Sequence, residues 1–177
     1  MNRAAIQPAI RPFVAVSVLI GHELPEGALE LLQTEDPRAV MGKIVIVATV
    51  DHAGFPHMAL LSRGELVAVS SKQVRLVLNA EATTIENIAS RSTVTLALIE
   101  PEVCCYVKGR GSVRDETLAE TSLMPFTARR VDVHVDSVLL DSEARAAIVS
   151  GPRYERAVPL EEELAHWRHV HAFLGRA

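Results

Sequence analysis

The sequence predicts a mainly β protein, a six-stranded antiparallel barrel with helical additions at its N- and C-terminal ends. Three observations carry this. Short β-branched runs recur between turn residues from Ile44 to Asp136. One stretch among them, opening at Thr83-Thr84, reads as a helix, and the final segment repeats its apolar residues at helical spacing. The chain has 177 residues, 49% of them hydrophobic, enough to bury a substantial core. Residues 1–177 are therefore taken as one domain, with the barrel over about 40–140 and a helical extension over 141–177.

In chain order, residues 13–20 form a β-branched run that suits a strand or a docking arm. It falls short of the ~20 apolar residues of a spanning helix and lacks an Ala-x-Ala cleavage pattern, so a soluble, cytoplasmic chain is expected. Residues 24–33 read as a short helix with Pro25 in its first turn. Residues 44–50 suit a strand covered on both faces. Asp51 to Gly54 then turns the chain into a second strand over 57–62, with Pro56 at its entrance, giving a hairpin. Residues 66–69 are an apolar island, either a short strand or one helical turn, and a third strand covers 74–78.

Thr83-x-x-Glu86 fits a capping box with Thr83 as N-cap of a helix ending near Ser92. Strands follow at 93–99 and 104–114. In the latter, Tyr106, Lys108, Arg110, Ser112 and Arg114 alternate with Cys105, Val107, Gly109, Gly111 and Val113. Two glycines within one strand mark curvature or close backbone approach. Val131, Val133 and Val135 alternate with Asp132, His134 and Asp136 in a sixth strand. Residues 142–149 read as a helix stopped by Gly151-Pro152. Pro159 opens another, striped by Leu160, Leu164, Trp167, Val170 and Leu174.

Composition narrows function. A net charge of −4 and 4% aromatic residues argue against nucleic-acid partners, which need a basic face or stacking platforms. Cys104 and Cys105 are adjacent and point to opposite strand faces, so they form no disulfide framework; they read as apolar fillers, with a redox pair as the alternative. Asp132, His134 and Asp136 share a strand face and suit solvent better than a metal. His166, His169 and His171 lack zinc-binding HExxH spacing and are expected to decorate the last helix; Trp167 is expected to anchor a core or interface, with stacking on a flat ligand as the alternative.

The loop 79–84, running from Asn79 to Thr83 and Thr84, leads into a helix N-terminus. It is either an ordinary cap or an anion site aided by Arg75, Lys72 or Arg91. His57 at its strand entrance reads as a surface histidine or a ligand contact. Lys108, Arg110 and Arg114 repel one another and call for solvent, carboxylates or an anion.

The order of elements over residues 40–136 includes Ala48-Thr49-Val50-Asp51, Gly54-x-Pro56-His57 and Lys108-Gly109-Arg110-Gly111. It resembles the pyridoxamine 5'-phosphate oxidase-like family of FMN-binding split β-barrels. The resemblance implies an FMN-dependent oxidoreductase of unknown substrate, with its flavin at a homodimer interface. It implies a phosphate at loop 79–84, where Ala82, Thr83 and Thr84 stand in the places of a serine, an arginine and a lysine. It lays the flavin ring along 57–62, within reach of Ser62 and Arg63, and lets the Lys108 row face the partner's phosphate. The expected cofactor-binding set is His57, Ser62, Arg75, Asn79, Thr83, Thr84 and Lys108, with no catalytic residue named and no metal. The alternative is a non-catalytic split barrel that binds a small molecule or serves as a dimeric interaction module, deazaflavin or haem being other ligands. Oxidation of pyridoxamine 5'-phosphate itself is not expected, because the basic cluster for a phosphorylated substrate is missing.

Overall fold

The structure is a computed structural model that describes residues 16–33, 36–101, 103–142 and 147–175. Eight antiparallel strands form one sheet: β1 (Val16–Gly21), β2 (Ile44–Val50), β3 (Pro56–Ser62), β4 (Leu66–Ser70), β5 (Gln73–Asn79), β6 (Thr93–Glu100), β7 (Val103–Leu118) and β8 (Ala128–Ser142). Helices α1 (Glu26–Gln33), α2 (Pro37–Val40), α3 (Thr83–Arg91) and α4 (Leu160–Leu174) pack around it. The sheet order is β3-β2-β6-β7-β8-β5-β4, with β1 added to the far part of β8.

The β2–β3 hairpin forms because Asp51 closes its turn. One carboxylate oxygen accepts the N–H groups of Ala53 and Phe55, both at 2.9 Å, while Gly54 takes a φ of +90°. Inward-facing residues of the strands build the main core, with Val47, Leu76, Leu96, Cys105, Val107, Val131 and Val133 all shielded from solvent. α3 closes this interior with Ile85 and Ile88. The strand glycines do what their positions predict. A side chain at Gly111 would strike Ile88 of α3, and one at Gly109 would strike the His134 carbonyl, where the β7–β8 register shifts. A second core lies under α4, where Trp167, Val170, Phe173 and Leu174 cover Val77, Leu118, Met124 and Ala128.

Several expectations change. The sheet has eight strands rather than six. The two added strands settle open alternatives: residues 66–70 are a strand rather than a helical turn, and the N-terminal run is a strand, β1, paired with β8, although residues 13–15 of the predicted run lie outside the described residues. Thr83 is not the N-cap. Asn79 shapes the loop by accepting the Glu81 N–H at 3.0 Å, so the helix already begins at Thr83 with Ala82 as a cap lacking any side-chain bond. A capping box forms instead at Ser62 and Glu65, opening a short 3-10 turn, Arg63–Glu65. The predicted helix over 142–149 is absent from the described part of that range. Ser142 belongs to β8 because it pairs with Val16, and residues 147–149 have no regular structure. Residues 143–146 lie outside the described residues. His166 does not decorate a surface. It is buried against Trp167 and meets the Thr121 hydroxyl at 3.1 Å. Asp132 leaves the polar outer face for the same reason of packing, being enclosed by arginines. Leu160 stays half-exposed, so the α4 stripe begins at Leu164.

Candidate functional site

Three regions hold the polar residues that the sequence singles out. At the first, α3 packs against β2 and β3. Asn87 donates to the Thr49 hydroxyl at 2.9 Å within the interior, and His57 stands directly across from Thr49 on β3. Thr84 is buried and Thr83 exposed in the first turn of α3. Ala82 offers no side-chain acceptor, so the cap residue leaves the N–H groups of Thr83 and Thr84 unbonded by its side chain. Arg91 turns away to the His52 carbonyl at 3.2 Å.

The second region joins the C-terminal segment to the sheet. Ser62 shares a 2.8 Å hydrogen bond with the Tyr154 hydroxyl, and its backbone N–H donates to Glu65 at 2.6 Å. Arg156 lies over the rings of both Tyr154 and Trp167, 5.1 and 5.4 Å from their centres. Desolvation pushes the Glu65 carboxyl up to about 7, and desolvation aided by Arg156 moves His166 down to about 4. Nearby, Asp132 receives Arg114 at 2.9 Å, Arg130 at 3.3 Å and Arg75 at 3.7 Å, while Arg75 also donates to the Leu174 carbonyl at the end of α4. A cation there suits the negative end of the helix.

The third region is the outer face of the sheet. Leu60, Ile46, Ala97, Tyr106, Leu139 and Leu19 are successive cross-strand partners across β3, β2, β6, β7, β8 and β1. Met58, Leu60 and Leu19 are 56%, 68% and 57% exposed, so this apolar row faces solvent in the single chain. Two grooves flank it. One, about 640 Å³, is lined by Ile99, Cys104, Tyr106, Leu140, Asp141 and Ile148. There Tyr106 donates to Asp141 at 2.7 Å, which pushes its own pKa up to about 12. Desolvation raises the Cys104 thiol and pushes Cys105 up to about 11, so both stay protonated at neutral pH. The other groove, about 460 Å³, includes Thr95, Lys108, Arg110, Asp136 and Ser137. Among the described residues, no group of three or more His, Cys, Asp or Glu is placed to hold a metal, and no helix is long and apolar enough to cross a membrane.

One solved structure decides the architecture. A provisionally assigned pyridoxamine 5'-phosphate oxidase from Lactobacillus delbrueckii aligns with 70% of this chain and 98% of its own, at 21% identity and a TM-score of 0.53. The chain has the pyridoxamine 5'-phosphate oxidase-like split-barrel fold. HupZ of Group A Streptococcus covers the same shares, 70% and 98%, at 17% identity and a TM-score of 0.49. In sequence, the uncharacterized protein YclD of Bacillus subtilis is 27% identical over 123 residues, 70% of this chain and 77% of its own. No family model matches the chain.

On this split barrel the predicted set divides. His57, Thr83 and Thr84 stay with the β2–β3–α3 corner, and Asn79 shapes the loop leading to it. Ser62 and Arg75 are turned to the C-terminal segment, because Tyr154 and Leu174 supply their partners. Lys108 stands on the outer face, while its row-mates Arg110 and Arg114 are paired with Asp136 and Asp132. Sequence reasoning missed the apolar row, whose members come from six strands. The one available signal was the double-sided apolar character of β2.

Proposed function

We propose that the protein is a homodimeric split barrel that binds flavin mononucleotide and, through it, serves as an oxidoreductase of unknown substrate. The observation that carries the homodimer is the apolar row over six strands. Strands lie about 4.8 Å apart, so the row runs for about 24 Å, the scale of a stable protein interface. A second copy of the chain, offering the same row, would cover Met58, Leu60 and Leu19 and give β2 the second apolar cover its sequence calls for. The name of the Lactobacillus relative ties this fold to pyridoxamine 5'-phosphate oxidase.

The residues present fit a flavin phosphate through neutral donors. The N–H groups of Thr83 and Thr84, the positive end of α3 and the Thr83 hydroxyl are the neutral donors that would hold a phosphate. Among the described residues β3 is an edge strand, paired with β2 alone, so its outer backbone groups are available to a ring edge. When bound, flavin mononucleotide supplies hydride transfer, and the chain's own part is to bind, orient and exclude water. Glu86, in the first turn of α3, opposes an anion there.

A second reading, a non-catalytic binding or interaction module, is favoured by that same corner. Arg91 and Arg75 are both committed elsewhere, and Thr84 is buried. The visible spectrum of the purified protein, followed by titration with FMN, separates the two readings. The flavin reading expects bound flavin and a two-fold mass in solution. It also expects Thr83→Ala to weaken FMN about 2- to 10-fold, the worth of one neutral hydrogen bond, with an unchanged melting midpoint. A colourless protein that takes up no added FMN sinks it.

A further inference from the structure

The chain has three lysines. Lys43 reaches Glu100 at 4.0 Å and Lys72 reaches Glu23 at 3.1 Å. Lys108 is exposed and, within the described residues, has neither a carboxylate within 4 Å nor a side-chain hydrogen bond. An exposed lysine on a convex surface would simply be solvated. Lys108 instead lines a groove of about 460 Å³, within the ~300–1,000 Å³ range of small-molecule sites.

The register sets what surrounds it. Thr95 is its direct partner on β6 and Ser137 its direct partner on β8. Such partners have Cβ atoms about 4.5–5.5 Å apart, so two hydroxyl donors and one ammonium can meet a single anion. Ala48, Val50 and Pro56 continue the lining as apolar surface. Arg110, next along β7, is balanced by Asp136 at 3.2 Å, which leaves the groove one uncompensated positive charge. The β7–β8 register shifts between Lys108 and Gly109, a kind of irregularity that re-aims side chains at ligand sites.

We propose that this groove binds an anion joined to an apolar body, with Lys108 as its charge partner and Thr95 and Ser137 as hydroxyl donors. The anion is either the phosphate end of the flavin proposed above, held here instead of at the α3 entrance, or a carboxylate or phosphate on a separate substrate, and the chemistry of capture is the same. The site does not depend on the α3 corner or on flavin being bound.

The test uses the full chain, its Lys108→Gln variant and, as a control, Arg114→Gln, whose side chain pairs with Asp132 outside the groove. Affinities are measured by calorimetry for phenyl phosphate against phenol, and for FMN against riboflavin, at low and high salt. Circular dichroism checks that each variant is folded, and Lys108, being exposed, belongs to neither hydrophobic core. The expected result is a loss of at least about tenfold for phenyl phosphate, or for FMN but not riboflavin, in Lys108→Gln alone, with wild-type binding weakened by salt. Loss for phenyl phosphate alone identifies a separate substrate anion. Loss for FMN alone identifies the cofactor's phosphate. Unchanged affinities in Lys108→Gln, or a wild-type chain that binds none of the anionic probes, overturn the proposal. A chain that binds phenyl phosphate through Lys108 but no flavin would refute the flavin reading and leave this site standing.

Discussion

Gly64→Ala should loosen the whole C-terminal helix. A Cβ at this position would lie 2.5 Å from Trp167 Cε3 and 2.6 Å from Cδ2, against about 3.4 Å for ordinary contact, so ring or backbone must move by about 0.9 Å. The ring has little freedom to do so. Trp167 is shielded from solvent, its Nε1 donates to Glu163 at 3.3 Å, and Arg156 covers its face. On the other side, Gly64 is held by the capping box of Ser62 and Glu65. Overpacking of this kind costs about 1–3 kcal/mol. At about 2–4 °C per kcal/mol for a chain of this size, the melting midpoint should fall by roughly 2–12 °C. Trp167 is the sole tryptophan, so its emission reports α4 docking directly and should shift red as water reaches the ring. A Gly64→Ala protein with the wild-type midpoint and emission would show that α4 does not pack on the 3-10 turn as described.

Stability should depend on pH in two opposing ways. Glu65, raised to about 7, favours the protonated form in the folded state, so its contribution is intact below its usual 4.5 and is lost as pH rises through about 7. His166, lowered to about 4, favours the neutral ring, so its contribution is present above 6.5 and lost as pH falls towards about 4. Thermal melts between about pH 5 and 8 should therefore show Glu65→Gln flattening the alkaline decline; an unchanged profile would remove Glu65 as its source. Asp132→Ala takes away the carboxylate shared by Arg75, Arg114 and Arg130 and should cost about 3–5 kcal/mol in urea unfolding. Arg114→Ala, removing a half-exposed partner, should cost under about 1 kcal/mol, and equal losses for the two would contradict the buried-network reading.

Much of the barrel was legible because strand periodicity and turn chemistry are local. β2, the Asp51 turn, β3, α3 and the alternation of β7 follow from neighbouring residues alone, as does the close approach at Gly109 and Gly111. Local signals failed where a distant segment competed for the same residues. Ser142 looked helical until β1 offered it a strand partner, and His166 looked like surface until Thr121 and Trp167 enclosed it. Thr83 had the spacing of an N-cap, yet Asn79 had already turned the loop.

The candidate sites divide along the same line. The sequence by itself determined the β architecture, the hydroxyl-rich entrance to α3 and a row of cations on one face of β7, since each is written in contiguous or alternating residues; that the entrance is uncapped came from the structure. Tertiary structure alone decided which cations remain available. Asp136 and Asp132 pair with Arg110 and Arg114, the end of α4 takes Arg75, and Lys108 is left in its groove. Charge pairing depends on distance through space, and register across strands far apart in the chain sets those distances.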